Sequence, residues 1–84
     1  MYYDIAEVKP AADFSLKVRF ADGLCGTVRF LPSFFRGVFA QLTDAAQFAN
    51  VRIVDGVVTW PGELDLAPDA THAAIKNGGE WVLD

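Results

Sequence analysis

Residues 14–30 carry the pattern that most constrains the fold. Apolar residues or glycine occupy every second position from Phe14 to Phe20 and from Leu24 to Phe30, with mainly polar residues between them. Such period-two alternation is typical of strands that have one buried and one exposed face. A three-residue loop at 21–23, with its glycine left-handed, sets apolar residues opposite one another, whereas a two-residue loop would set them opposite polar ones. The pattern therefore predicts an antiparallel hairpin with the longer loop.

The stretch 51–68 predicts a second antiparallel hairpin. Here a two-residue Asp55-Gly56 loop, a type I′ turn, pairs the valines on either side of it. The strand ends at Pro61, and we interpret segment 65–68 as the entry to a helix. The large apolar residues that this register places on one face are Val51, Ile53, Val58 and Trp60.

The remaining segments predict one further strand and several short helices packed against the hairpins. The N-terminal segment 1–10 is a strand that ends at its proline. The tail 80–84 is too short to assign. The expected helical segments are a turn at 32–37, a second turn that brings Phe39 and Leu42 inward, a helix over Ala45–Ala49 capped by Thr43 or Asp44, and a helix over Asp69–Lys76.

Length and composition indicate one small α+β domain over residues 1–84 with a small antiparallel sheet. The hydrophobic share of 52% is enough to fill a core without a disulfide, and one cysteine fits a reducing, cytoplasmic environment. No segment has the length and apolarity of a membrane span. The predicted core consists of Phe14, Leu16, Val18, Phe20, Val28, Phe30, Phe39, Phe48, Ile53, Val58 and Trp60.

The charge is distributed unevenly along the chain. The formal net charge is −4, with +1 in residues 1–42 and −5 in residues 43–84. An acidic domain repels phosphate backbones, which argues against direct nucleic-acid binding and is compatible with a basic partner. Solubility is the simpler explanation of the negative charge.

The polar face of the first hairpin is the strongest candidate for a binding surface. Lys17, Arg19 and Arg29 form a flat basic patch on it, and Arg52 joins them if the two hairpins share a sheet. Arginine is enriched at protein interfaces, so the patch predicts a protein partner or self-association. An ordinary solvated sheet face is the alternative.

Chemistry-bearing residues give weaker signals. Asp65, Asp69 and His72, with Glu63 nearby, could hold a divalent metal, although a capping acid and a surface histidine explain them as well. Cys25 with His72 does not resemble a nucleophile and base, because a strand interior offers no oxyanion loop. No phosphate-binding glycine motif is present. We therefore expect no cofactor and no enzymatic activity, with a metal-binding or minor enzymatic domain as the alternative.

An ordered set of residues resembles one bacterial family, the domain-of-unknown-function family numbered twenty-four forty-two. The resemblance implies a small α+β domain with antiparallel strands and no established catalytic residues. It also implies that the chain is encoded beside another small protein, as in toxin–antitoxin pairs. We therefore expect this chain to be the neutralising half of a two-protein pair. The chain departs from the family pattern in two places. Arg29 stands where the family usually has Asp, and His72 stands near the position where the family often has Leu-Tyr. The matching elements are Val18-x-Phe20-x-Asp22-Gly23, Val28-x-Phe30-x-Pro32, Phe39-x-x-Leu42, Phe48, Trp60 and Asp65-Leu66-x-Pro68.

Overall fold

The computed structural model describes residues 3–62 and 64–84, and its α+β class confirms the expectation from the sequence. The described elements form a four-stranded mixed sheet (the first sheet), a three-stranded antiparallel sheet (the second sheet) and short helices. In chain order they are β1 Ile5–Ala11, β2 Ser15–Phe20, β3 Cys25–Phe30, 3-10 helices Pro32–Phe34 and Gly37–Thr43, α1 Ala45–Ala49, β4 Arg52–Val54, β5 Val57–Trp60, β6 Leu64–Leu66, α2 Pro68–Gly78 and β7 Glu80–Leu83.

Both hairpins form in the predicted register. In the first, Leu16 lies opposite Val28, and the three-residue turn closes with Gly23 at a φ of 93°. In the second, Asp55 and Gly56 are both left-handed, as a type I′ turn requires. Turn chemistry and hydrophobic alternation therefore determined both local structures.

The two hairpins do not share a sheet but lie in two different ones. The strand order is β1-β2-β3-β7 in the first sheet and β4-β5-β6 in the second. The tail 80–84 supplies β7, which pairs in parallel with β3. Of segment 65–68, which was interpreted as helix entry, Asp65 and Leu66 belong instead to strand β6, which pairs with β5. Ala67 and Pro68 do form the start of α2, and Gly79 is left-handed at its C-terminal end.

Strand β1 is an edge strand, which explains two features of its sequence. Pro10 does not end the strand, because an edge position can lack a ladder hydrogen bond, and β1 continues to Ala11. A register shift between Ile5 and Glu7 lets Ile5 and Val8 both face the interior although their positions differ in parity. The shift therefore determines which charged residues of β1 face solvent.

The core lies between the two sheets and the helices. Trp60 is 1% exposed, and its Nε1 donates a hydrogen bond to the carbonyl oxygen of Phe48 at 2.9 Å. Most predicted core residues are buried, but Phe14, Phe39 and Ile53 are only partly buried. The buried hydrophobic residues that were not among the predicted core residues are Ile5, Leu42, Leu64, Leu66 and Ile75.

Candidate functional site: an open sheet face and an adjoining aromatic pocket

One side of the first sheet faces solvent across all four strands; we call it the outer face. None of the described elements packs over it, since the helices and the second sheet lie on the other side with the buried residues. The strand pairings align its side chains in rows across the sheet. The outer face consists of Glu7, Lys9, Ala11, Ser15, Lys17, Arg19, Cys25, Thr27, Arg29, Glu80 and Val82.

Two of the predicted cations on the outer face already have acidic partners. Arg19 Nε lies 3.6 Å from Glu7 Oε1, and Arg29 Nη2 lies 2.9 Å from Glu80 Oε2. All four side chains are substantially exposed, and such exposed pairs contribute little to stability. The pairs do reduce the positive charge that the arginines present to a partner.

On the outer face, the cations that have no acidic partner among the described residues are two lysines. Lys9 and Lys17 lie directly opposite each other on β1 and β2. Among residues 3–62 and 64–84, neither has a carboxylate within ion-pair distance. Like charges directly opposite on neighbouring strands repel each other. The lysine pair is therefore a centre of unbalanced positive charge. Sequence reasoning missed Lys9 because the facing of β1 depends on its register shift.

Arg52 lies apart from the other predicted partner-binding residues. It is exposed on β4 of the second sheet, opposite Thr59. The exposed Val54 lies on the same strand. Because the hairpins do not share a sheet, Arg52 and Val54 do not extend the outer face. A role for Arg52 in binding stays a prediction.

An apolar pocket opens at the end of the first sheet where β3 ends; we call it the aromatic pocket. It encloses about 440 Å³, which falls in the ~300–1,000 Å³ range of ligand sites. Its rings form a network in which Phe14 meets Phe35 at 5.2 Å and Phe30 stacks on Phe35 at 6.0 Å. The residues that line it are Asp13, Phe14, Arg29, Phe30, Leu31, Pro32, Phe35 and Thr43.

The turn at the lip of this pocket has an unusual backbone. Asp13 and Phe14 are both left-handed, with φ of 59° and 56°. For L-residues this conformation costs roughly 1–2 kcal/mol each, somewhat less for Asp. The Phe14 carbonyl accepts a hydrogen bond from Phe30 N at 3.0 Å, and its ring meets Phe48 edge-on at 5.2 Å. Phe14 is thus the turn residue before β2, not a member of the strand as the alternation predicted.

The candidate metal ligands do not come together among the described residues. Asp65 is exposed on β6 and Asp69 is exposed in the first turn of α2. Within residues 3–62 and 64–84, no three His, Cys, Asp or Glu side chains are placed to hold a metal. Glu63 lies outside the described residues. The metal prediction is left without support here, and thermal melts of wild-type and His72→Ala protein with zinc, manganese or magnesium would test it.

His72 is not the surface histidine that the sequence suggested. It is 8% exposed, and its Nε2 lies 2.8 Å from Asp22 Oδ2 in the first hairpin turn. Its ring meets Tyr3 and Phe20, each at 4.8 Å. Hydrogen bonds from the Leu24 backbone and from His72 hold the pKa of Asp22 below its usual value. The pair joins residues 50 positions apart, which no local pattern in the sequence could indicate.

Cys25 is exposed on the outer face, opposite Arg19. Its Sγ lies 3.5 Å from the carbonyl oxygen of Gly23. With His72 paired to Asp22, the thiol and the imidazole belong to separate interactions. The geometry gives no nucleophile–base pair between them.

The fold and the site define a class: a small α+β domain with an open, charged sheet face beside an apolar pocket. Comparison with protein families matches residues 5–76 to the family described as "Protein of unknown function (DUF2442)". The match covers most of the chain, which therefore belongs to this family. Searches of curated proteins and of solved structures found no significant match. No helix in the described part of the chain is long and apolar enough to cross a membrane.

Proposed function

We propose that this chain is a protein-interaction module and that the outer face is its docking surface. The observation that carries the proposal is the uncovered sheet face with its unbalanced lysine pair. The outer face holds four cations and two acids, a net +2, on a chain of net −4, so the remaining residues carry −6. Charge concentrated against the overall balance supports a complementary surface on a partner.

The contents of the outer face favour a protein over a nucleic acid. Glu7 and Glu80 lie among its cations, and no aromatic side chain is among its residues to stack on bases. The strongly acidic remainder of the chain would repel phosphate backbones. Specificity between two proteins, by contrast, commonly depends on alternating charges that fix the register of the partner.

We further propose that the chain acts as the neutralising half of a two-protein pair in a bacterial cytoplasm. The resemblance of its family to components of toxin–antitoxin arrangements supports this role. The exposed, unpaired Cys25 supports a reducing compartment. The net negative charge of the chain alone would favour a basic partner. Salt screens charges beyond about 10 Å, however, so a contact at the outer face depends mainly on the charges of that face. Because these are net positive, the outer face favours an acidic surface on the partner.

Co-expression with the product of the adjacent gene tests the proposal. We expect the two proteins to co-elute in size-exclusion chromatography. In calorimetry, Lys17→Glu should weaken the complex at least tenfold. Lys76→Glu is the matched control, because it makes the same charge change at an exposed position in the last turn of α2. It should leave the affinity within about twofold.

Two outcomes would contradict this proposal. If the two proteins elute separately at micromolar concentration, the adjacent gene does not encode the partner and the paired role is wrong. If a complex forms and both lysine variants weaken it equally, the effect comes from net charge and the outer face is not the docking surface. Circular dichroism melts of both variants would show that they remain folded.

A further inference from the structure

The aromatic pocket and the outer face form one continuous surface. Arg29 and Asp13 line the aromatic pocket and also a small polar recess with Ser15, which lies opposite Arg29 in the first sheet. From Ser15 the strand continues two residues to Lys17, a step of about 7 Å at ~3.3 Å per residue. A ligand that enters the pocket can therefore reach the lysine pair without leaving the surface.

The pocket offers apolar area but little that would orient a polar molecule. Its interior is formed by Phe14, Phe30 and Phe35, with Leu31 and Pro32. The hydroxyl of Thr43, at the rim, already donates to the Ala40 carbonyl at 2.8 Å. Small-molecule sites combine apolar walls with a few convergent polar groups. The two charged lining residues, Asp13 and Arg29, are exposed, and Arg29 belongs to the outer face, so recognition must combine the pocket with that face.

This division matches the anatomy of protein interfaces. Binding energy concentrates where a bulky side chain fills a desolvated pocket, and charges around it fix orientation and increase the association rate. The left-handed turn at Asp13–Phe14 holds the Phe14 ring at the lip before any partner arrives. Strain retained at a binding lip is consistent with a site arranged in advance.

From this geometry we infer that the aromatic pocket receives a bulky apolar side chain of a partner segment whose carboxylate, two residues further along, pairs with Lys17 and Lys9. The inference rests on the proposed interaction function and deepens it by naming the partner chemistry. In an extended segment, residues two apart face the same side and lie about 7 Å apart. Ser15 does not line the pocket but lies in the recess that shares Asp13 and Arg29 with it. A segment that leaves the pocket past this recess would therefore place a residue two positions further along near Lys17.

A short peptide provides the probe. The acetylated, amidated peptide Gly-Ser-Phe-Ser-Glu-Gly-Ser carries the aromatic anchor and the carboxylate at the required spacing. In a heteronuclear NMR titration we expect shifts at Phe14, Leu31 and Phe35 and at the lysine pair. Replacing the peptide's Phe by Ala, or its Glu by Gln, should weaken binding at least fivefold in each case.

Protein variants separate the two contacts. Thr43→Phe, at an exposed rim position, should fill the pocket. It should lower the affinity for the peptide that contains Phe at least fivefold and leave the affinity for the peptide with Ala in its place unchanged. Lys17→Glu should lower the affinity for the peptide that contains Glu at least fivefold and leave the affinity for the peptide with Gln in its place unchanged. Lys76→Glu is the control for charge. Leu31→Trp is a second pocket-filling variant in case Thr43→Phe lowers the melting temperature.

The following results would overturn the inference. The Ala peptide could bind as well as the Phe peptide, or the shifts could lie away from the pocket. N-acetylphenylalanine amide could bind as tightly as the peptide, which would make the pocket a small-molecule site. Sedimentation could show that the chain self-associates through the pocket. Lys17→Glu could weaken the complex with the adjacent-gene product while Thr43→Phe leaves it unchanged. The proposed function would then stand and this inference would fail.

Discussion

The two ends of the first sheet are built in opposite ways. At one end, the turn 21–23 is closed: Ala21 N donates to Asp4 O at 2.8 Å, and Asp22 lies 2.8 Å from His72. At the other end, the turn before β2 has two left-handed non-glycine residues, Asp13 and Phe14, and borders the aromatic pocket. We call these the closed end and the open end.

The difference shows that the closed end is built for stability and that the open end is not. At the closed end Gly23 adopts a positive φ at little cost, and the side chains around it bond to distant elements. At the open end the strained turn is held by packing, and apolar rings still line an opening. Strain and exposed apolar area in one place distinguish a binding site from a turn optimised for stability.

Trp60→Ala should have the largest effect, because it removes the support beneath the open end. The indole contacts Phe30 and Phe48, the latter also through its hydrogen bond. Loss of a buried tryptophan costs about 3–5 kcal/mol, a large fraction of a small domain's stability. Urea melts measure the change, with the exposed Val54→Ala as control. An unchanged midpoint would mean that Trp60 is not the anchor.

Gly26→Ala should have the next largest effect, on the packing of β3 against α2 and β7. An added Cβ would meet the Ile75 side chain and lie 2.8 Å from the Gly79 carbonyl oxygen. Overpacking of this kind costs roughly 1–3 kcal/mol. Gly78→Ala is the control, since nothing lies within 4 Å of its added Cβ. Equal melting temperatures for both variants would show that α2 shifts away freely.

Substitutions at Phe14 measure the strain of the open end. Both Phe14→Ala and Phe14→Gly lose the ring contacts, but only alanine keeps the left-handed penalty. We expect the glycine variant to be more stable by about 1 kcal/mol, the reverse of the usual order. Ala73→Gly in α2 should show the usual order. A less stable Phe14→Gly would mean that the turn is unstrained.

Acid should weaken the closed end. The pKa of Asp22 is lowered by the backbone of Leu24 and by His72. A group with a lowered folded-state pKa stabilises above its unfolded pKa and loses that contribution as pH falls through the folded value. The wild type should therefore lose this stabilisation below about pH 4, and Asp22→Asn should not. Urea midpoints of the wild type and of Asp22→Asn measure the effect. If the difference between the two midpoints stays at its neutral-pH value from pH 5 to pH 2.5, the linkage is contradicted.

The features of the site divide into those a local pattern encodes and those it does not. Lys17, Arg19 and Arg29 were placed on one exposed face because strand alternation and the loop length determine which side they occupy. Lys9 was missed because one register shift reverses the facing of a strand. The aromatic pocket was missed because its walls come from β3, the turn before β2 and the 3-10 helices.

By itself, the sequence determined both hairpins, their turn types and registers, and the position of α2, because these depend on period and turn chemistry within a few residues. Only the tertiary structure decided that the hairpins occupy separate sheets, that segment 80–83 joins β3 in parallel, and that His72 meets Asp22. Such pairings join distant segments, and the packing of the whole chain selects among them. The open end belongs to this second group, as does the binding site that we propose there.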